Sequence, residues 1–255
     1  MAVFSGPNLK QNDTTNVNGL VTDQLQLFYD AARSFSYSGQ GFVWKDLSGN
    51  ARDCTLYNAG GVTYNAVPAG PPTYDEVASR GIFTFDGTND WGKFNAFTFG
   101  SSVSVTAWVK TTTTSGLKGV ISHCSGGPVY LVYGASGTKM TYYYYTTSWQ
   151  DIQGTSNIND GNWKNLVWTK SGTNLVMYIN GTQDFTTTLA EDRTGSMNCI
   201  GSGWGPCNSD SYGAGQDGYS YVWPGSIAMI MVHAKQLSAA EVLQNYNNTK
   251  RRYGL

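Results

Sequence analysis

Charge is scarce in this chain of 255 residues, because only 13% of them are Asp, Glu, Lys or Arg. That is about half of the usual share in globular proteins, and it argues against long amphipathic helices, whose outer faces need charged side chains. The charges also nearly cancel, with 16 basic and 17 acidic residues. A nucleic-acid-binding protein would carry a basic patch, so that class is excluded.

Long apolar runs are also missing. No stretch of about 18 apolar residues occurs, so the sequence predicts no membrane-spanning helix. The first residues lack the basic and apolar regions of a signal peptide, so we expect a protein made in a cytosol and released, if at all, by another route such as lysis. The four cysteines, Cys54, Cys124, Cys199 and Cys207, form no CxxC pair. Free thiols are favoured, with a Cys199–Cys207 disulfide as the alternative under oxidising conditions.

Aromatic residues and glycine are plentiful, with 17 Tyr, 10 Phe, 8 Trp and 31 Gly. This aromatic content excludes intrinsic disorder, since disordered chains lack the apolar surface to offset the entropy lost on ordering. Tyr and Trp favour strands, whereas Gly, Ser and Asn favour the turns between them.

Alternation of apolar and polar residues predicts a series of short strands. Residues 103–109 alternate as a half-buried strand does, and residues 225–233 are apolar on both faces. In the run Tyr142 to Tyr145, Tyr142 and Tyr144 should face opposite to Tyr143 and Tyr145. Asn180-Gly181 between two such runs predicts a hairpin. The predicted strands are residues 24–29, 81–85, 103–109, 139–145, 165–169, 175–179, 183–187 and 225–233.

One helix is predicted, near the C-terminus. Ser238 is a suitable N-cap with Glu241 as its capping-box partner, Leu237 can pack on Val242, and the helix should end near residues 247–248. The basic residues 250–252 are expected to form a solvated tail. Residues 1–23 are polar and predicted to be an arm, followed by one domain over residues 24–255. The predicted fold is an all-β antiparallel β-sandwich of jelly-roll type with one short C-terminal helix.

Several stretches resemble the laminin-G-like, concanavalin-A-like jelly-roll domain, in the same order and spacing over roughly residues 20–250. They include residues 28–32, VWKDLSGN at 43–50, FTFDGTND at 83–90, VSVTAWVK at 103–110, WKNLVWT at 163–169, LVMYING at 175–181 and residues 224–242.

The opening at residues 4–7 and the tail at residues 245–254 resemble versions of this domain in tailed-phage virion proteins. The resemblance implies a virion component, such as a capsid decoration, tail fibre or adhesin, assembled in the host cytoplasm. Its partners would be other virion proteins, further copies of itself and a host surface glycan.

Glycosidases also use this fold, and they need two carboxylates across the scissile bond. The chain has three glutamates: Glu76 in a proline-rich loop, Glu191 in a turn and Glu241 in the helix cap. None is predicted on a strand with a second acid two to four residues away, so hydrolysis is disfavoured.

The two histidines offer no better catalyst. His233 ends an apolar strand, where a structural role is expected. His123 is adjacent to Cys124, and neighbours on a strand point to opposite faces, which disfavours a Cys–His dyad. We therefore predict a protein that is not an enzyme.

The resemblance also implies a structural calcium ion, for which oxygen ligands are needed. The candidate ligands are Asp30, Asp46, Asp86 and Asp90. Alternatively, Asp46 and Asp86 cap turns. The family's last strand usually carries an acid after Gly-x-Ile, where this chain has Ala228 and Met229, so both interpretations stay open.

Sugar binding needs an aromatic surface for the pyranose ring beside polar groups for its hydroxyls. Two places offer this. The first comprises Tyr143, Tyr145 and Trp149, with Gln150 beside them. The second is the loop 201–224, whose candidates are Trp204, Asn208, Asp210, Tyr212, Asp217, Tyr219, Tyr221 and Trp223. The alternatives are that the strand tyrosines belong to the core and that the loop is a subunit contact or a plain connection.

Three functional hypotheses follow. The first is a non-enzymatic virion structural protein whose jelly roll contacts host glycans. The second is a dedicated receptor-binding adhesin, and the third, disfavoured, is a polysaccharide-degrading glycosidase.

Overall fold

A computed structural model describes residues 19–58, 72–75, 81–114, 116–123, 130–133, 138–202 and 221–255. Its strands, numbered in chain order, are β1 (Leu25–Asp30), β2 (Val43–Trp44), β3 (Cys54–Asn58), β4 (Thr73–Asp75), β5 (Ile82–Asp86), β6 (Asp90–Phe99), β7 (Ser102–Lys110), β8 (Lys118–Gly119), β9 (Ile121–Ser122), β10 (Tyr130–Tyr133), β11 (Lys139–Tyr145), β12 (Trp149–Asn157), β13 (Lys164–Ser171), β14 (Asn174–Ile179), β15 (Thr182–Thr188), β16 (Gly195–Ile200) and β17 (Pro224–His233). Helix α1 (Ala239–Thr249) and a 3-10 turn (Lys250–Tyr253) follow.

The strands form three antiparallel sheets. The largest has eight strands in the order β15-β14-β13-β7-β17-β5-β4, with β1 also paired to β17. The others have the orders β12-β11-β10-β8 and β2-β3-β6-β16-β9. The predicted antiparallel all-β fold with one C-terminal helix is confirmed.

The main core is shared by all three sheets. Phe83 and Trp168 from the eight-stranded sheet, Tyr142 from β11, and Leu56 and Met197 from the five-stranded sheet belong to one buried cluster. This cluster joins the sheets face to face, as expected for a sandwich.

Strand β7 differs from its prediction, because it is buried on both faces rather than half-buried. It lies in the middle of its sheet between β13 and β17. Val105 faces the main core, while Trp108 faces a second cluster and stacks on Tyr253 with ring centroids 4.0 Å apart. The alternation correctly predicts a strand. The face of β7 that was predicted to be solvated is instead covered by the C-terminal segment.

The C-terminal helix has the predicted capping box between Ser238 and Glu241. The prediction of a solvated basic tail is wrong for Arg252, whereas Arg251 is exposed. The guanidinium of Arg252 donates to both carboxylate oxygens of Asp30, at 2.7 Å and 2.5 Å, and Asp30 is fully buried. Within the described residues, no helix has the length and apolar character needed to cross a membrane.

The last residues of the predicted arm pack against the C-terminal region. Leu20 and Val21 are buried, and the Val21 amide donates to Oδ1 of Asn245 at 2.8 Å. The packed domain therefore includes residues 19–23, which the sequence assigned to the arm. Residues 1–18 lie outside the described residues.

Candidate functional site

The outward face of the β11–β12 pair carries an aromatic surface. Tyr142 and Tyr144 are buried in the core, whereas Tyr143 is half-buried and Tyr145 is exposed. The two faces of β11 therefore divide as predicted. The register places Tyr145 opposite Trp149, so the outward side chains of both strands meet.

Tyr143, Tyr145 and Trp149, together called the aromatic platform, are packed ring against ring. Trp149 is parallel to Tyr143, with centroids 4.8 Å apart and an interplanar angle of 5°. Tyr145 meets Trp149 edge to face at 5.2 Å. These contacts fix the ring orientations while Tyr145 and Trp149 stay 46% and 39% exposed. Adjacent exposed aromatic rings form a contiguous apolar patch, and such patches often mark interaction sites.

Polar groups line the same face. Asp151 lies directly opposite Tyr143, and Gln153 is two residues further along β12. The Gln153 amide donates to Oδ2 of Asp151 at 2.8 Å, while Oδ1 is buried and accepts no hydrogen bond within the described residues. The platform is thus bordered by a carboxylate and an amide that are paired with each other.

The end of the predicted binding loop reaches this platform. Tyr221 is close enough that its phenol raises the pKa of Tyr143, after the larger effect of burial. Its carbonyl accepts the Gly119 amide at 2.7 Å, and its φ is +66°. A non-glycine residue at positive φ is held there by its surroundings. The structure therefore brings together residues from the two predicted places.

The other loop candidates have different positions. Trp223 is fully buried in the main core, so its prediction as a ligand-binding residue is corrected to a core role. Trp204, Asn208, Asp210, Tyr212, Asp217 and Tyr219 lie outside the described residues.

The four candidate calcium ligands do not converge. Asp30 is neutralised by Arg252 and by Arg33, whose Nε donates to it at 2.9 Å. Asp46 accepts the amides of Phe28 and Ser48, both at 2.9 Å. These partners occupy the oxygens that a cation would need.

Asp86 and Asp90 share one turn at the start of β6. Asp86 caps it by accepting the Thr88 and Asn89 amides, and Oδ2 of Asp90 accepts the Asp86 amide at 2.7 Å. Burial raises the pKa of Asp90 to about 6. Within the described ranges, no three acidic, His or Cys side chains form a metal-sized cluster. The four aspartates therefore do not fit one calcium site, and calcium binding stays a prediction.

The remaining candidates for chemistry have structural partners. Glu191 pairs with Arg193, and Glu241 with Lys235. His233 is buried with Nε2 at 2.9 Å from the Val21 carbonyl, and burial lowers its pKa. Glu76 and Cys124 lie outside the described residues.

The cysteine thiols in the described part are inert. Cys54 and Cys199 are free and buried. Burial raises the pKa of Cys199 to about 12, and a thiol that stays protonated is a poor nucleophile. Cys207, its proposed disulfide partner, lies outside the described residues.

Asp151 and Gln153 were not predicted as site residues. Strand β12 was not predicted, because it is rich in polar residues and contains Gly154. The signal that could have found them is the period of two from Trp149, which places residues 149, 151 and 153 on one face.

Residues 86–243 match the concanavalin A-like lectin/glucanases superfamily. The chain belongs to this superfamily. No curated protein sequence matches it. Among solved structures it is similar to domain 4 of AbnA, an extracellular GH43 arabinanase from Geobacillus stearothermophilus, in complex with arabinotriose. The TM-score is 0.62 at 16% identity, covering 88% of this chain and 98% of that domain.

Two toxin binding domains are also similar. That of botulinum neurotoxin serotype D has a TM-score of 0.60 at 12% identity, covering 89% of this chain and 52% of that one. That of botulinum neurotoxin type C, whose cell entry depends on two ganglioside molecules, has a TM-score of 0.54 at 14% identity, covering 88% and 51%. The chain therefore spans about half the length of these binding domains, and at such identities the likeness concerns the fold.

Proposed function

We propose that this superfamily member is a non-enzymatic component of a phage virion whose aromatic platform binds glycans on the host surface. The observation that carries the glycan part is the platform itself. Two large exposed rings, Tyr145 and Trp149, are held rigidly beside Asp151 and Gln153. An apolar sugar face can stack on such rings while hydroxyls at its edge lie beside these polar residues.

The fold relatives support a binding role. Domain 4 of AbnA was captured with arabinotriose, and the type C neurotoxin uses gangliosides to enter cells. The platform residues here are rigid aromatic side chains, which lose little entropy on binding.

The proposal that the protein is not an enzyme is supported by the ion pairs of its described glutamates. Glu191 is neutralised by Arg193, and Glu241 is engaged by the helix cap and Lys235. A glycosidase needs one acid that holds a proton beside another that is ionised. Among the described residues beside the platform named above, Asp151 is the one carboxylate, so the described part of the site offers no such pair.

The virion part of the proposal rests on the resemblance of residues 4–7 and 245–254 to tailed-phage virion proteins. Immunogold labelling of particles from a lysate that contains the protein tests it. Label on capsids or tails is expected, and label confined to soluble material contradicts it.

Substitutions in the platform test the glycan part. Trp149→Ala and Tyr145→Ala should each weaken binding to a glycan array by roughly tenfold or more, since buried aromatic contacts dominate small binding sites. Phe35→Ala is the matched control, because Phe35 is 60% exposed in the turn after β1 and not part of the platform. Its binding should equal that of the unmodified protein, and all variants should keep the unmodified melting temperature. Equal binding by all variants would refute the platform as the glycan site.

A further inference from the structure

Asp151 lacks the cationic partner that several other aspartates have. Asp30, Asp160 and Asp192 are each paired with Arg or Lys, and Asp184 accepts backbone amides. In the part of the chain that the structure describes, Asp151 takes part in no ion pair, and its one side-chain donor is the neutral amide of Gln153. It therefore brings an uncompensated negative charge to the platform.

The position of this charge matters for any bound molecule. Asp151 is directly opposite Tyr143 and two residues from Trp149 on the same face of the sheet. A molecule stacked on the exposed rings therefore lies beside the residue that carries this charge. Oδ1 of Asp151 is buried, so the carboxylate acts on such a molecule through its charge rather than through that oxygen.

The three rings form one packed group rather than a cage. Tyr143 and Trp149 are parallel at 4.8 Å, so no ligand fits between them, and Tyr145 meets Trp149 edge to face. A ligand therefore contacts the exposed parts of Tyr145 and Trp149.

We infer that Asp151 makes the platform selective for uncharged, hydroxyl-rich glycans over acidic ones. This rests on the proposed glycan binding. A neutral sugar stacks on the rings without meeting a like charge, whereas a uronic or sialic acid brings a second carboxylate close to Asp151. Two like charges about 5 Å apart near water repel enough to weaken binding by about fivefold.

The test uses an array in which each neutral oligosaccharide is printed beside its uronic acid form. The unmodified protein should bind the neutral member about fivefold or more better. Asp151→Asn keeps the shape and an acceptor for Gln153 but removes the charge, so it should bring the two members to near equality. Asp23→Asn removes one charge at an exposed residue paired with Lys235 and should keep the preference.

Salt gives an independent readout. A preference caused by charge should shrink as sodium chloride is raised from 50 mM to 500 mM, since screening shortens the range of the repulsion. A preference caused by shape alone would not change.

The outcomes separate this inference from the proposed function. The ratio of binding to neutral and acidic glycans decides the selectivity. If this ratio is equal for the unmodified protein and Asp151→Asn, or if acidic glycans are preferred, the selectivity is overturned and glycan binding still stands. Failure of the unmodified protein to bind any sugar overturns both.

Discussion

At the scale of single residues, Asp90 is a buried acid at a sensitive position. Its side chain is 2% exposed, and Oδ1 has no donor. Burial raises the pKa of its carboxyl to about 6, from an ordinary value near 4. The folded state therefore binds the proton more tightly than the unfolded state does. Protonation of Asp90 therefore contributes to the free energy of unfolding. This contribution is fully present below pH 4 and is lost as pH rises through 6.

Asp90→Asn should remove this dependence. The amide stays neutral and can still accept the Asp86 backbone amide, so we expect the variant to gain about 2 kcal/mol in free energy of unfolding at pH 8 relative to the unmodified protein. Between pH 4 and 8 its stability should fall less steeply. Urea denaturation at pH 4, 6 and 8 measures both quantities. If the free energy of unfolding of the two proteins changes in parallel with pH, the raised pKa of Asp90 is contradicted.

The same denaturation series tests the predicted calcium ion. A bound cation would hold the Asp90 carboxylate ionised and would stabilise the unmodified protein most at pH 8, where Asp90→Asn would lose that gain. Measurements in EDTA and in millimolar calcium distinguish the cases. Identical midpoints in both solutions would contradict calcium binding at this turn.

At the scale of elements, Asp184 joins two sheets at their open edge. It lies on β15, the end strand of the eight-stranded sheet, and its carboxylate accepts the Thr155 and Ser156 amides of β12, at 2.7 Å and 3.1 Å. Gly154 allows this approach, since a Cβ there would lie 2.5 Å from Oδ2 of Asp184. The side chain thus satisfies backbone donors on an edge strand that would otherwise be open to pairing with another chain.

Asp184→Ala should cost about 1–2 kcal/mol, because it leaves two amides without their acceptor. It should also increase self-association, because the β12 edge is uncovered. Asp184→Asn, which keeps one acceptor oxygen, is the graded control and should have an intermediate effect. Thermal unfolding and light scattering measure the two effects. An unchanged melting temperature for Asp184→Ala would show that water replaces the carboxylate without cost.

The elements that the sequence predicted are those defined by local pattern. The β14–β15 hairpin is one example, because Asn180 and Gly181 both take positive φ, at 52° and 76°, as such a turn requires. Strand β12 was not predicted, because its polar side chains acquire a face only through the register with β11.

The candidate site divides in the same way. The aromatic residues Tyr143, Tyr145 and Trp149 were identifiable from composition. The period of two from Trp149 could have placed Asp151 on the same face, but its position opposite Tyr143 follows only from the cross-strand pairing. Trp223 was misassigned because its neighbours in sequence are loop-like, whereas its surroundings are the main core.

At the scale of the whole molecule, the two ends of the domain close on each other. Strand β17, built from residues 224–233, lies between β7 and both β1 and β5. The largest sheet is therefore complete only when nearly all of the chain is present. Asp30 at the end of β1 then meets Arg252, 222 residues later. This distance explains why the basic tail looked solvated in the sequence, where its buried partner could not be recognised.

Arg252→Ala tests how strongly this closure stabilises the fold. Asp30 would keep only Arg33 as a cationic partner in a site without exposure to water, and breaking a buried ion pair from one side typically costs 3–5 kcal/mol. Because Arg33 remains, we expect a loss of about 3 kcal/mol. Arg251→Ala is the matched control, because the side chain of Arg251 is exposed. The unfolding midpoint of this variant should match that of the unmodified protein. If both variants unfold at the same denaturant concentration, the closure contributes little, and the stability of the domain resides in the sheets alone.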